Sequence, residues 1–375
     1  MLGLAGCNQL LGISNPVAGD ATAPDGPRPD GPMDPDAALD APPACTTSHA
    51  FGGEITSAVG GTGVAMVVSD FSPNAERDVA VAITTDTVIM EGDNAGTFTA
   101  TQSLTEPATF LVAEDYDLIG ARKDLVLLTA TTAVVRQQIE TGAQGQFTAA
   151  AQPLTGPFAG ASGLGTSEYG GNLVSDVVIT DDSGVTPFIS IAAAGTFNRG
   201  TSVGAAGDKL VFAGQIDKEN DSDVLVVDAA GNVKLVRSNG ADGFDAPTTV
   251  ATGATGLGVG VGKFDDDTFL DIVVATATGG EIYLQNSASP GVFTKQTGTF
   301  GGILSTVPLL IGDVNADGLD DVVTPTAVVM QCPTTRVFTQ VEELDATQAV
   351  LADVNGNAKL DLLRLTGTNL VVRLQ

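Results

Sequence analysis

One unit recurs seven times along this chain, and that recurrence limits the possible folds more than any other feature. In each copy an apolar pair leads into an Asp-rich turn, and the turn ends in an Asp followed by a Val/Leu run. The copies are Asp78-Val79-Ala80-Val81, Asp124-Leu125-Val126-Leu127, Asp176-Val177-Val178-Ile179, Asp223-Val224-Leu225-Val226, Asp271-Ile272-Val273-Val274, Asp321-Val322-Val323 and Asp361-Leu362-Leu363. Differences between successive Asp positions are 46, 52, 47, 48, 50 and 40 residues. A second marker runs in phase with the first: a Phe, usually just after a Gly-containing turn, at Phe51, Phe98, Phe147, Phe197, Phe244, Phe293 and Phe338. A fixed period of this size signals a supersecondary unit that buries its faces against its neighbours.

Each unit parses into four strands. The first carries the apolar pair, as in Leu309-Leu310-Ile311. The second is the Val/Leu run, whose continuous apolarity implies cover on both faces. The third alternates, as in Val233-Lys234-Leu235-Val236-Arg237 or Glu281-Ile282-Tyr283-Leu284, which implies one covered and one wetter face. The fourth is expected to begin at the Phe. Four antiparallel strands at this period describe a propeller blade. The final unit stops after its third strand, Leu370-Val371-Val372-Arg373-Leu374, while the domain opens with an unpartnered Phe strand near Phe51. The sequence thus predicts an all-β, seven-bladed β-propeller of four-stranded antiparallel blades. The N-terminal strand joins the last blade, closing the ring and hiding sheet edges.

Composition agrees. Charged residues are only 16% of the chain, glycines number 46 and tryptophan is absent. Long amphipathic helices need more Lys, Glu, Gln and Arg than this, whereas short strands joined by Gly-rich turns do not. The formal net charge is −29. Such a surface repels phosphate, so nucleic acid is excluded as a partner and anionic membrane surfaces are disfavoured. The acid excess serves solubility, cation coordination, or both. No run of 18 apolar residues exists to span a bilayer.

The chain opens Leu4-Ala5-Gly6-Cys7, which resembles the lipobox of bacterial lipoproteins. There, the Cys becomes the lipidated first residue of the mature protein, so the resemblance implies lipidation at Cys7. The following Asn8-Gln9-Leu10-Leu11-Gly12-Ile13 is similar to the mature start of many lipoproteins from myxobacteria-like genomes. Asn8 rather than Asp after the Cys implies the outer membrane or cell surface by the same resemblance. No positive segment and almost no apolar segment precede Cys7, a departure that a start codon assigned too late would explain. Residues 1–14 are read as this signal remnant and mature N-terminus. Residues 15–44 are rich in Pro, Asp, Ala and Gly without hydrophobic period, and are expected to form a disordered tether with or without an anchor. The propeller occupies 45–375.

The units look like the FG-GAP/VCBS family, the repeat of integrin α-subunit heads and of many exported bacterial proteins. The resemblance is strongest over residues 309–366. It is weak at 165–180, where Glu168-Tyr169-Gly170-Gly171-Asn172 replaces the acidic turn.

The acidic turns are candidate calcium sites. Asp313-Val314-Asn315-Ala316-Asp317-Gly318-Leu319-Asp320-Asp321 offers side-chain oxygens at Asp313, Asn315, Asp317 and Asp321, and a backbone carbonyl at Leu319. Gly318 permits the sharp turn. Ca2+ takes about 6–8 oxygen ligands, which alternating acids in a short loop supply, and crowded carboxylates repel one another without a cation. In integrin-like propellers the D-x-D-x-D-G-x-x-D loop binds calcium, and this turn matches it with Asn at the third position. Asp353, Asn355, Asn357 and Asp361 keep four oxygens, with Ala358 in place of Gly. Asp70, Ser72, Asn74 and Asp78 are similar, with Pro73 inside. The turns carrying Asp115, Asp117 and Asp124, then Gln215, Asp217, Glu219 and Asp223, then Lys263, Asp265, Asp267 and Asp271 depart further. In the last of these the Lys263 ammonium could replace the ion. For every turn the plainer reading is an Asx-type turn between strands.

The family resemblance implies a binding, adhesion or scaffold module at the cell surface. An accessory or catalytic domain acting on extracellular polysaccharide is the alternative. No G-x-S-x-G, H-E-x-x-H or Cys–His arrangement is present, and the only histidine is His49 at the tether junction. The chain is therefore read as no enzyme. The expected partner is a surface protein or glycan, the expected state a monomer, and the membrane is met only through the lipid. With Cys7 used by the anchor, Cys45 and Cys332 remain as an even pair for an exported domain. The parse sets Cys45 just before the closing strand of the seventh blade, and Cys332 at the end of the third strand of the sixth. A disulfide is expected there, against two unpaired thiols as the alternative.

Overall fold

The computed structural model describes residues 51–375 except 73, 75, 117–122, 140–145, 149–150, 170–173, 192–195, 219–220, 241–242, 297–304, 306, 325, 333–337 and 345–347. Among the described residues, 28 strands form seven four-stranded antiparallel sheets. Blade 1 comprises Gly63–Ser69, Asp78–Ile83, Thr87–Gly92 and Phe98–Leu104. Blades 2 to 6 follow in chain order. The first strands of consecutive blades lie side by side, and that of blade 7, Gln348–Ala352, returns to that of blade 1. The ring is closed as the parse requires. Glu54–Ala58 pairs antiparallel with the final strand, Asn369–Arg373, setting Ile55 opposite Val372 and Ser57 opposite Leu370.

The apolar core is divided into seven clusters, each shared by two neighbouring blades. The second strands are covered on both faces. Every residue of Asp271–Thr276 is buried, for example, as its unbroken apolar run demands. The outer strands are mostly exposed, as in Phe98–Leu104, where only Phe98 and Leu104 at the two ends are buried.

The third strands are more buried than their alternating sequence implies. Gly279–Gln285 buries all but Leu284. Its Glu281 is covered because it meets Lys295 at 2.8 Å and accepts from the Tyr283 hydroxyl at 3.1 Å. Lys234 sits between Asp208 and Asp228, at 3.0 and 3.1 Å. Charged side chains here pair with one another across the blade, with Lys295 still partly in water.

The Phe marker does not always open the fourth strand. Phe98, Phe293 and Phe338 do, and Phe197 is the second residue of Thr196–Arg199. Phe147 and Phe244 form only isolated bridges to Gln138 and Ser238, ahead of Gln152–Pro153 and Thr248–Ala251. Phe51 precedes Glu54–Ala58. The position recurs for a packing reason, given below.

Inner strands need glycine where blades approach most closely. A Cβ on Gly262 would lie 2.2 Å from Ile311 Cγ2 and 2.7 Å from Asp320 Oδ2 of the next blade. Gly262→Ala is therefore expected to destabilise the fold by about 1–3 kcal/mol, as overpacking does, measured by urea unfolding. An unchanged midpoint would contradict this packing.

Candidate functional site

Each acidic turn joins the first and second strands of a blade and ends in the repeated Asp. All seven of these residues, Asp78, Asp124, Asp176, Asp223, Asp271, Asp321 and Asp361, are buried. One carboxylate oxygen accepts from the N–H of an apolar residue seven or eight positions earlier: Phe71, Tyr116, Tyr169, Ile216, Phe264, Val314 or Val354. The other accepts from the N–H at the corner where the third strand ends, in its last residues or just beyond: Gly92, Gln138, Ser190, Ser238, Gln285, Gln331 or Gln375. The Asp thus pins both turns at that end of its blade, and burying it leaves no N–H orphaned.

The pinned apolar residue then latches onto the next blade. Its side chain meets the marker Phe of that blade, edge-on at 5.5 Å for Phe71–Phe147 and Tyr116–Phe197, 5.3 Å for Tyr169–Phe244 and 6.0 Å for Phe264–Phe338. Ile216 with Phe293, Val314 with Phe51 and Val354 with Phe98 share the corresponding clusters. Its carbonyl accepts from the corner side chain of the next blade. Ser190 Oγ reaches Tyr116 at 3.1 Å, Ser238 Oγ Tyr169 at 2.9 Å, Gln285 Nε2 Ile216 at 3.0 Å and Gln331 Nε2 Phe264 at 2.9 Å. Gln138 bonds Phe71 and Gln375 bonds Val314 in the same way. Gly92 has no side chain to offer, so the step from blade 7 to blade 1 lacks this bond. The Asp and Phe markers are therefore two ends of one inter-blade latch. The sequence reading missed the apolar residue and the Gln or Ser corner between them, although both recur in phase with the repeat.

The acidic turns of blades 6 and 7 share one conformation. In Asp313–Asp321, Asp313 accepts from the N–H of Asp317 at 3.1 Å and of Gly318 at 2.8 Å. Asn315 Oδ1 accepts from Asp317 at 3.0 Å, and Asp317 Oδ1 accepts from Leu319 at 3.0 Å. In Asp353–Asp361, Asp353 accepts from Asn357 at 3.2 Å and Ala358 at 2.8 Å. Asn355 Oδ1 accepts from Asn357 at 3.1 Å, and Asn357 Oδ1 accepts from Lys359 at 2.9 Å. Positive φ falls at Ala316 and Gly318 in the first turn and at Gly356 and Ala358 in the second. The same wrap thus arises with Gly and Ala exchanged, the Ala accepting a left-handed conformation that favours Gly. Asp265 and Asp267 make matching bonds to Asp267 N and Phe269 N at 2.9 and 2.7 Å.

Asp313, Asn315 and Asp317 bring hard oxygen donors to one wrapped loop, as do Asp353, Asn355 and Asn357 with fewer charges. Each carboxylate oxygen keeps a second lone pair beyond its N–H bond. Asp321 and Asp361 sit at the floor of their turns as pins. The donor set fits a hard divalent cation held by few charges plus carbonyls and water. Among the described residues, no three or more His, Cys, Asp or Glu side chains converge as a metal-holding group. Any such site here is therefore a mixed one of carboxylate, amide and backbone oxygens. In blade 4, Arg237 Nε lies 3.0 Å from Asp217, so the chain supplies that turn with its own cation. Lys263 begins the blade 5 turn, and its N–H donates to Asp320 of blade 6 at 2.6 Å.

Cys332 is buried next to Gln331, at the end of the third strand of blade 6 where the parse put it. Cys7, the tether, Cys45, His49, Pro73, Asp117 and Glu219 lie outside the described residues.

Burial pushes the Asp78 carboxyl up to about 6 and those of Asp223 and Asp271 up to about 7, against the lowering effect of their N–H bonds. A carboxyl whose folded pKa is raised favours the fold in its neutral form. Its contribution is complete below the ordinary carboxylate range and is lost as pH rises through about 6–7. In chelator, unfolding free energy is expected to fall between pH 5 and pH 8, and Asp271→Asn to flatten part of that fall. Urea titrations of both proteins across this range check it, and parallel profiles would contradict it.

Residues 263–324 match the FG-GAP-like repeat family model. That FG-GAP-like span runs from the Lys263 turn of blade 5 through the second strand of blade 6 and contains the Asp313–Asp321 turn. No curated protein sequence matches the chain. Similar solved structures include the BP39L lectin from Burkholderia pseudomallei, at 16% identity and TM-score 0.56, covering 75% of this chain and 84% of that one. A lectin of Agrocybe aegerita, solved for recognition of non-reducing terminal N-acetylglucosamine, aligns at 15% identity and TM-score 0.58 over 84% of this chain and 86% of its own. BBS1N in complex with ARL6DN aligns at 10% and 0.57 over 86% and 96%. At these identities the likeness is one of fold.

Proposed function

We propose that this protein is an exported binding module, lipid-anchored at Cys7 and held off the membrane by its tether, whose FG-GAP-like propeller is stiffened by Ca2+ in the Asp313–Asp321 and Asp353–Asp361 turns. The role is adhesion or scaffolding, not catalysis. The observation that carries this reading is the pair of identically wrapped, oxygen-rich turns on a seven-sheet ring. Their alternating donors match what a hard cation needs. A glycan is the first ligand class to test, because two of the similar structures are lectins.

Immobilised full-length protein is expected to retain a saturable glycan or surface-protein ligand in calcium and to release it in chelator. Turnover of extracellular polysaccharide by the protein would overturn the binding role. Labelled palmitate is expected to enter the wild type made from an upstream start and not Cys7→Ala. Equal labelling of both would remove the anchor. The Cys45–Cys332 disulfide is expected in exported protein. Its bond would tie the segment before the closing strand to the neighbouring blade. Intact mass after alkylation tests it, and two alkylated thiols without reduction would rule it out.

A further inference from the structure

We infer that cation binding in the turns of blades 6 and 7 controls closure of the propeller ring, so that cation loss loosens the joint made by Glu54–Ala58 while blades 2 to 5 stay packed. This rests on the calcium reading above and adds where in the ring the cation acts.

The first argument is distribution. Only three turns combine Asp at the first position with oxygen side chains at the third, fifth and ninth. These are Asp70-Ser72-Asn74-Asp78, Asp313-Asn315-Asp317-Asp321 and Asp353-Asn355-Asn357-Asp361. They belong to blades 1, 6 and 7, which are consecutive around the ring; the blade 1 turn latches onward to blade 2 through Phe71, so the joint falls to the other two. The turns of blades 3, 4 and 5 begin instead with Glu168, Gln215 and Lys263, and that of blade 2 is one residue longer.

The second argument is contact. The blade 6 turn presents Val314, pinned by Asp321 at 3.0 Å, to Phe51 at the entrance to the closing strand. The Val314 carbonyl accepts from Gln375, just after the final strand. The blade 7 turn holds the same residue twice more: Gln375 N donates to Asp361 at 2.7 Å, and Asn357 Nδ2 donates to the Gln375 carbonyl at 2.8 Å. Its Val354 packs with Phe98, whose N–H donates to Ser57 Oγ in the closing strand at 2.9 Å.

The third argument is the gap at Gly92. Six inter-blade steps carry a Gln or Ser side-chain bond, and the step from blade 7 to blade 1 does not. That step therefore depends more on the shape of the Asp353–Asp361 turn. A cation that fixes these turns fixes the positions of Val314, Val354, Asp361 and Asn357 together, and with them both strands of the joint. Elsewhere the latch is complete without it.

Hydrogen exchange on the full chain tests this, with calcium affinity measured in parallel by calorimetry. On chelation, amides of Glu54–Ala58 and Asn369–Arg373 are expected to exchange about tenfold faster, and those of Asp176–Asp181 in blade 3 to change less than about twofold, since sub-global opening follows local contacts. Gln375→Ala is expected to keep the calcium affinity while shrinking that tenfold difference. Binding with equal protection in every blade would overturn the joint but leave the calcium reading standing. Absence of binding would overturn both.

Discussion

Replacing Asp176 by alanine is expected to cost more stability than the loss of any exposed acid in this chain. Asp176 is fully buried and accepts from Tyr169 N at 2.8 Å and Ser190 N at 2.7 Å. Its removal strands two buried N–H groups, at roughly 1–3 kcal/mol for each. The loss spreads further, because Tyr169 is the residue that latches onto Phe244 and accepts from Ser238. Asp176→Asn is expected to recover about half, since the amide oxygen still accepts one bond while its NH2 faces the other donor. The blade 3 turn lacks the acidic pattern, so this experiment measures the pin apart from any cation. Urea unfolding of the three proteins gives the result, and an alanine variant within about 0.5 kcal/mol of wild type would contradict the latch.

Chelation is expected to produce the second large effect. A ligand at about a hundred times its Kd stabilises by about 2.7 kcal/mol. For a domain of this size that is a melting shift on the order of 5 °C. Asp317→Ala is expected to remove most of the shift because it takes a carboxylate from the best turn while leaving the Asp321 pin in place. Melting that is the same in chelator, in millimolar calcium and in the variant would leave these segments as plain Asx turns.

The repeat made the fold legible before any coordinates. The Asp–Val/Leu run marks a strand buried on both faces, and the missing seventh Phe strand reappears at the N-terminus, so both the blade count and the closure follow from the chain. Strand boundaries were less legible. Phe147 and Phe244 recur because each receives the side chain of the preceding blade, and that packing holds whether or not a strand starts there. By spacing alone the acids at the turn ends are candidate ligands, whereas their carboxylates also fasten two backbone segments apiece. Local spacing does not distinguish those duties, because an Asx turn and a cation loop present oxygens at the same alternate positions. The Gln and Ser corners are not legible locally for another reason: their partners are carbonyls of the preceding blade, some 70 residues away, as in Gln285 to Ile216.

An anomalous difference map from crystals of the full chain grown in calcium tests the account most directly. It predicts a peak about 2.3–2.6 Å from oxygens of Asp313, Asn315 and Asp317, in a ring whose strand Glu54–Ala58 is paired to Asn369–Arg373. A turn of the same shape with no peak at saturating calcium, or a ring open at that joint, would contradict it.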